Sequence, residues 1–369
     1  MSLVPMKVLL DKALEGKFAY GAFNVHTTNE VKAAIEIHET FRSPVILQII
    51  EFATGFIAGR EDFLNATLEE KIEGIKIITE KVKEAAKKTD IPVVLHLDHG
   101  HDKELVKACI DEGFTSVMID GSYLPFEENV ALTKEIVDYA HKKGVTVEGE
   151  LGVLAGREDN ANHSGSLYTD PNKVCEFFEK TGVDCLAISY GTSHGAAKGK
   201  DVVISKEIAI AAYENMKFKN IKGSLVSHGS STVPKYLVEG INKLGGKLEN
   251  AHGIPIEQVL EVVPYGIAKV NVGTDIRLAI TRNIREYFKN NKNIDDNSRV
   301  GQIKKIVEDR PELIDERVYL YPMYDSVTDG TGKTAEENDI LDCVEKGVKE
   351  IVGQLIVKYG QVGTAELFN

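Results

Sequence analysis

The stretch L-H-L-D-H-G-H-D at residues 95–102 places three histidines and two aspartates directly after the apolar run I-P-V-V. Histidine and aspartate side chains bind divalent metals and transfer protons. His194 lies in a similar context, G-T-S-H-G, and His228 lies in S-H-G-S-S. One histidine in such a place is usually a hydrogen-bonded residue. Three of them, His99, His194 and His228, predict a three-histidine metal site with a position open for substrate or water.

Small residues surround two of these histidines and recur further along the chain. The segments are G-T-S-H-G-A-A-K-G (191–199), H-G-S-S (228–231) and N-V-G-T-D (271–275). Glycine-rich turns ahead of helices expose backbone N–H groups and favour anions. They predict a phosphate site, although H-G-S-S alone also fits a turn with a helix cap. Lys198 and Arg277 would add positive charge there, unless they are solvated surface side chains.

Eight short apolar runs, with helical patterns between them, predict the strands and helices that position these residues. Such runs are typical of buried parallel strands, and eight β/α repeats predict an α/β fold, the (β/α)8 TIM barrel. A doubly wound open sheet is the alternative, but no G-x-G-x-x-G follows the first strand. The runs cover residues 19–25, 44–50, 92–97, 115–120, 145–151, 184–190, 223–228 and 266–272.

A barrel of this kind carries its active site at the carboxyl ends of its strands. The residues whose side chains could do chemistry cluster at these predicted ends, and this placement predicts a common site. They are Asn24, Asp98, His99, Asp120, Glu150, His194, His228, Asn271 and Thr274.

Other residues of the opening stretch have structural interpretations. Strand alternation places His96 in the barrel interior, hydrogen-bonded beneath the site. Asp102 is expected to cap a helix that starts at Lys103, and His101 is expected to be a solvated loop residue.

The long polar segment after the fifth strand predicts a mobile loop, in which Glu158 is either an acid–base group or a solvated carboxylate.

The pattern divides the chain into a barrel domain at residues 1–290 and a helical extension at 291–369, packed on the barrel or on a partner subunit. The net charge of −13 argues against binding to nucleic acid or anionic membranes. No apolar run approaches the roughly 18 residues that span a bilayer, and the start lacks a secretory pattern. The four cysteines have no C-x-x-C spacing, as expected for reduced thiols in the cytoplasm.

Taken together, the motifs resemble those of the class II, metal-dependent fructose-bisphosphate aldolase family and its tagatose-bisphosphate relatives. Each motif is common, but the ordered set is specific and covers roughly residues 6–325. The matching segments are G-A-F-N-V (21–25), H-L-D-H-G (96–100), S-V-M-I-D (116–120), V-E-G-E-L-G (147–152), G-T-S-H-G-A-A-K (191–198), S-H-G-S-S (227–231), K-V-N-V-G-T-D (269–275) and D-E-R-V-Y-L (315–320).

The resemblance implies aldol cleavage of fructose 1,6-bisphosphate, with zinc stabilising the enediolate. It implies His99, His194 and His228 as zinc ligands, and Asp120 and Glu150 at a second or alternate metal position. Asp98 would act on the C4 hydroxyl and Glu158 on the proton at C3. It further implies a homodimer or higher homo-oligomer and a monovalent cation at the phosphate site. The implied substrate contacts are Asn24, Gly195, Lys198, Gly229, Ser231, Asn271, Thr274, Arg277 and, from a neighbouring subunit, Arg317.

Two departures from the family pattern leave the substrate open. Ile50 stands where many members have a serine or threonine, and Gly273 replaces an acidic residue that some fructose-bisphosphate enzymes use to select sugar stereochemistry. Tagatose 1,6-bisphosphate or another ketose phosphate is therefore an alternative substrate. A TIM-barrel metallohydrolase and a non-catalytic phosphosugar-binding barrel are further alternatives.

Overall fold

The computed structural model describes residues 3–158, 161–163, 168–198 and 202–368, with only the backbone for 155–158 and 161–163. Within these residues, eight parallel strands close into a barrel in the order β1-β8-β7-β6-β5-β4-β3-β2. The predicted TIM barrel is confirmed. The strands are β1 (Tyr20–Asn24), β2 (Val45–Ile50), β3 (Val93–Gly100), β4 (Ser116–Ile119), β5 (Thr146–Leu151), β6 (Cys185–Ile188), β7 (Ser224–Ser227) and β8 (Ile267–Val272).

Helices connect the strands and cover the outside of the barrel. The first helix is amphipathic and places Met6 in the apolar cluster at the amino-terminal end of the barrel. The helices of this part are α1 (Met6–Gly16), α2 (Thr28–Thr40), α3 (Ala53–Ile57), α4 (Leu68–Ala86), α5 (Lys103–Glu112), α6 (Phe126–Ala140), α7 (Pro171–Thr181), α8 (Lys206–Phe218), α9 (Lys235–Lys243), α10 (Ile256–Val262) and α11 (Thr274–Asn290).

Local sequence signals set the helix starts. The Thr27 side chain accepts from the Glu30 backbone N–H while the Glu30 carboxylate accepts from the Thr27 N–H, a capping box at the start of α2. Asp102 accepts from the N–H of Glu104, which confirms it as the cap of α5. Thr67 and Glu70 form a second capping box before α4. These caps fix where the loops at the carboxyl ends of the strands give way to helices.

The carboxyl-terminal part is helical, as predicted, and packs on the barrel. Its longest helix lies against α2 and α11, and Ile340, Val344 and Val348 join the same continuous apolar core as the outer barrel layer. The division into two domains at residue 290 stays a prediction. The helices here are α12 (Arg299–Asp309), α13 (Glu316–Tyr319), α14 (Tyr324–Asp329) and α15 (Ala335–Lys358).

A small sheet stands at the carboxyl end of the barrel. Its strands are Ala155–Glu158, Ala161–His163 and Ser193–His194, with the first pairing with both others. Short 3₁₀ turns complete the secondary structure at Phe63–Asn65, His141–Lys143, Val263–Tyr265, Tyr321–Met323 and Thr364–Phe368. None of the helices in the described part of the chain is both long and apolar enough to cross a membrane.

Candidate active site

The backbone at the end of β3 turns abruptly to present His99. The pairing of β3 with β4 shifts register between Leu97 and Gly100, and His99 has a φ of +47°. This left-handed conformation is costly for a residue with a Cβ and is typically retained where function requires it. The irregularity lets the adjacent Asp98 and His99 both reach the carboxyl end of the barrel.

The structure brings the three predicted histidine ligands together. The ring centroid of His99 lies 4.6 Å from that of His228 and 5.1 Å from that of His194. Nε2 of His99 faces Nδ1 of His228 at 2.9 Å. Burial lowers the pKa of His228, so its imidazole is neutral, the form that binds metals. The neutral ring of His228 therefore presents Nδ1 toward Nε2 of His99, and the ring of His194 lies beside both.

Two amides hold the carboxylate of Asp98. Gln48 donates to Oδ2 at 3.1 Å, and Asn271 donates to Oδ1 at 3.0 Å. Gln48 also donates to Oδ1 of Asn24 at 2.5 Å. Gln48 was not predicted as a site residue. Its only signal in the sequence is a polar residue inside the apolar run P-V-I-L-Q-I-I.

A second group of potential metal ligands adjoins the histidines. His99, Asp120 and Glu150 are buried and offer ligand atoms within 4.8 Å of one another. The Asp120 carboxylate lies 3.2 Å from Nδ1 of His99. Burial alone would raise the pKa of Asp120, but the contact with His99 outweighs it and the pKa falls well below its usual range. Asp120 is thus ionised and orients His99, leaving Nε2 to face the centre of the site.

The glycine-rich turns approach each other closely beside the histidines. Gly229 has a φ of +59°, and a Cβ there would lie 2.6 Å from the carbonyl oxygen of Ser193. Only glycine fits this contact. The Lys198 ammonium donates to the carbonyl oxygens of Ser193 and Gly229. Thr274 opens α11, whose first N–H groups face the carboxyl end of the barrel.

A single pocket with a volume of about 80 Å³ joins these features. Most of the predicted site residues meet there, although Asn24 and Arg277 are about 250 residues apart in sequence. Asp120 and Glu150 are not among its described lining residues. The lining residues are Asn24, Asp98, His99, His194, Gly195, Lys198, His228, Gly229, Ser231, Asn271, Gly273, Thr274 and Arg277.

Arg277 and Arg317 share one carboxylate but occupy different environments. Arg277 lines the pocket, with Nη1 3.8 Å from Oδ2 of Asp315. Arg317 is fully buried: it pairs with Asp315 at 2.7 Å and lies over the ring of Phe63 at 4.6 Å. Arg317 is not among the residues of the described chain that line this pocket. Its predicted contact from a neighbouring subunit stays a prediction.

Two predictions for the loops have different outcomes. His101 is not a solvated loop residue: its side chain is 32% exposed, and its ring lies near the carboxylates of Glu51 and Asp120. Burial alone would raise the pKa of Glu51, but bonds from His101 and Lys71 lower it to about 2. The predicted loop acid Glu158 ends a short strand, and its side chain lies outside the described residues.

Comparison with known proteins decides the family. The family model for "Fructose-bisphosphate aldolase class-II" matches residues 4–351. The chain belongs to the class II fructose-bisphosphate aldolase family. A fructose-bisphosphate aldolase of Giardia intestinalis is 39% identical over 89% of this chain and 90% of that protein. One from Treponema pallidum is 42% identical over 77% of this chain and 86% of that protein.

Solved structures share the fold of this class II family member. A fructose-bisphosphate aldolase from Campylobacter jejuni superposes with a TM-score of 0.69 at 23% identity, covering 98% of this chain and 97% of that one. The YdjI aldolase from Escherichia coli K12 gives 0.66 at 24% identity, covering 98% and 99%. Both are similar along nearly their whole length, extension included.

Class II aldolases are metal-dependent, and the side chains of this family member fit a divalent ion. Asp98, His99 and His228 are buried and present ligand atoms within 4.8 Å of one another. Imidazole and carboxylate donors suit zinc, cobalt and iron alike. Nε2 of His99 and Nδ1 of His228, which lie 2.9 Å apart, are ring nitrogens that could serve as ligands of such an ion.

The sequence did not reveal a group of buried ionisable residues beneath the three histidines. Glu148, Lys269 and His96 are fully buried in the barrel interior below His228. Lys269 donates to Glu148 at 3.0 Å, and His96 is hydrogen-bonded to Ser116, which confirms the prediction that His96 lies inside the barrel. The available signal was a charged residue inside each of the apolar runs V-T-V-E-G-E-L and G-I-A-K-V-N-V.

Proposed function

We propose that this chain catalyses the reversible aldol cleavage of fructose 1,6-bisphosphate to dihydroxyacetone phosphate and glyceraldehyde 3-phosphate. The observation that carries the proposal is one pocket in which Asp98 and three histidines adjoin the glycine-rich turns. Family membership and curated relatives that carry the fructose-bisphosphate aldolase name support it.

The proposed metal ligands are His99, His194 and His228, with zinc as the ion. When bound, zinc supplies Lewis acidity against the negative charge that develops beside the substrate carbonyl. Asp120 and Glu150, together with His99, are the proposed second or alternate position.

Asp98 is the proposed base for the C4 hydroxyl in the cleavage direction. The amides of Gln48 and Asn271 orient its two oxygens, and Asn24 is linked to the same network through Gln48. Proton transfer at C3 is assigned to Glu158. In condensation the two carboxylates exchange the direction of proton transfer. Asn24 and Asn271 are proposed to contact the dihydroxyacetone-phosphate half.

The phosphate groups are proposed to bind at the turns. Gly195, Gly229, Ser231 and Thr274 offer backbone N–H or hydroxyl groups. Lys198 and Arg277 supply positive charge, and Arg317 is proposed to act on the second phosphate from a neighbouring subunit. A monovalent cation would use backbone carbonyls of the kind that Lys198 contacts at Ser193 and Gly229.

Tagatose 1,6-bisphosphate is the second candidate substrate, because the wall of the pocket beside Asn24 is Gly273 and carries no carboxylate. Coupled assays that offer each sugar bisphosphate separate the two. The fructose assignment fails if tagatose bisphosphate has the much higher kcat/KM. Neither the pocket residues nor the family membership favours a metallohydrolase.

The metal mechanism is tested by removing the ion. Strong chelation should abolish activity, and zinc or cobalt should restore it. Activity that survives chelation, or a substrate adduct trapped by borohydride, would overturn the metal mechanism. We further propose a cytoplasmic homodimer or higher homo-oligomer that binds neither nucleic acid nor membranes; light scattering on the purified protein measures the oligomer.

A further inference from the structure

A buried ion pair lies directly beneath His228. The carboxylate of Glu148 and the ammonium of Lys269 are 3.0 Å apart, and both side chains are 0% exposed. Their strands, β5 and β8, are separated by β6 and β7 in the barrel. Removing both charges from water carries a large desolvation cost, which their mutual contact offsets in part.

The group that Glu148 holds is the ring of His228. Oε1 of Glu148 lies 2.6 Å from Nε2 of His228, while Oε2 receives Lys269. A carboxylate paired with an ammonium can only accept hydrogen bonds. Nε2 of His228 must therefore carry the hydrogen.

One other group competes for the same nitrogen. The Nδ2 atom of Asn271 lies 3.1 Å from Nε2 of His228, but it also donates to Asp98 at 3.0 Å. If Nε2 accepted from Asn271, two acceptor atoms would face each other at 2.6 Å. The energy of that repulsion exceeds the energy gained from the hydrogen bond that Asn271 would donate to Nε2. The contact with Glu148 therefore determines the tautomer of His228.

The hydrogen on Nε2 leaves the lone pair of His228 on Nδ1. This is the atom that faces Nε2 of His99 at 2.9 Å. The buried pair is therefore placed to aim one particular nitrogen at the point where the ligand atoms meet.

We propose that Glu148, held by Lys269, is a positioning residue that selects Nδ1 of His228 as its metal-binding nitrogen. This rests on the proposed function, in which His228 is a metal ligand. Lys269 is the counter-charge that keeps Glu148 an acceptor. The amine is engaged in this pair and does not act as a nucleophile.

Glu148→Gln tests the proposal because its amide is nearly isosteric and can donate to Nε2. Donation would move the hydrogen of His228 to Nδ1. We expect zinc affinity, measured by competition with a chromophoric chelator, to fall about 10- to 100-fold. The visible spectrum of the cobalt enzyme should change as well. Ser116→Ala removes a hydrogen bond from His96 in the same layer without touching Glu148, and is the matched control with near wild-type affinity.

The tautomer itself is read from the metal-free protein. Nitrogen-15 NMR of histidine-labelled apo-protein, with the His228 signal assigned by His228→Asn, should show hydrogen on Nε2 in wild type and on Nδ1 in Glu148→Gln. A merely structural role would lower the melting temperature and leave both tautomer and affinity unchanged.

The outcomes separate this proposal from the proposed function. If the wild-type apo-protein carries the His228 hydrogen on Nδ1, the proposal is overturned, even if Glu148→Gln does not fold. A folded Glu148→Gln variant with wild-type zinc affinity and the wild-type His228 tautomer also overturns it. A wild-type protein without zinc affinity or aldolase activity overturns the proposed function instead, whatever the tautomer is.

Discussion

Asn271, at the carboxyl end of β8, donates to Oδ1 of Asp98, at the end of β3, over 3.0 Å. Gln48 of β2 donates to the other oxygen at 3.1 Å. The carboxylate is thus held from two sides by strands that are distant in sequence. A base fixed in this way loses little orientational freedom when substrate binds.

Removing the second of these donors should slow catalysis without removing the metal. In Gln48→Leu, Asp98 and Asn24 lose their shared partner inside the pocket. We expect kcat to fall about 10- to 100-fold, which corresponds to ~1.4–2.7 kcal/mol, with wild-type zinc content. Steady-state kinetics and metal analysis measure both. The neighbouring core substitution Ile49→Val is the control; loss of zinc from Gln48→Leu alone would contradict the expectation.

His99 and His101, separated only by Gly100, should respond differently to truncation. His99→Ala removes a proposed ligand, so both bound zinc and activity should be lost. His101→Ala should keep the metal and keep kcat/KM within about threefold, because the ring contacts Glu51 and Asp120 and not the facing nitrogens. Its melting temperature should stay within about 2 °C of wild type, because the 2.7 Å hydrogen bond that Glu51 accepts comes from the backbone N–H of His101, which alanine keeps. If His101→Ala lost its zinc, His101 would have to be counted among the metal-site residues, contrary to this expectation.

Gly273 is expected to control substrate choice. Its φ is −125°, which any residue adopts, and a Cβ would lie 3.4 Å from Cγ of Asn24 in ordinary contact. Gly273→Asp would place a carboxylate in the pocket beside Asn24. The ratio of kcat/KM for fructose to tagatose bisphosphate should rise about tenfold, or ~1.4 kcal/mol.

Gly273→Ala is the matched control, because it adds the Cβ without the charge. It should fold normally and leave the ratio close to wild type. An equal shift in both variants would mean that bulk, and not the carboxylate, decides the preference.

His38 should make stability depend on pH. It is fully buried, its ring meets Phe23 edge-on, and burial lowers its pKa from 6.5 to about 4. Between these values the unfolded chain binds the proton and the folded chain does not, so stability rises with pH from about 4 to 6.5, by about 3 kcal/mol at most. Urea unfolding at several pH values measures the slope. His38→Leu should lower it over this range; an unchanged slope would show that His38 does not contribute.

The sequence by itself determined the barrel and most of the pocket. Strand alternation and the place where each apolar run ends are local properties of the chain. The carboxyl ends of parallel strands in one barrel must meet at one rim. Asp98, His99, His194, His228 and Asn271 could therefore be predicted to converge without knowledge of any distance.

Contacts across the barrel were decided only by the tertiary structure. Gln48 reads as one more residue of a buried strand until the pairing of β2 with β1 and β3 sets it level with Asn24 and His96. The pairing of Arg317 with Asp315, and its position over the ring of Phe63, could not be predicted from the sequence. His101 reads as solvated until the loop brings it against Glu51.

The pair of Glu148 and Lys269 shows the same limit. Each lies inside an otherwise largely apolar run, and their sequence separation is 121 residues. Whether such charges meet depends on the stagger of strands around the closed barrel. Neither local propensity nor periodicity encodes that stagger. The sequence alone therefore predicts which residues lie at the carboxyl ends of the strands. Only the closed barrel determines which buried charged residue hydrogen-bonds to which histidine nitrogen.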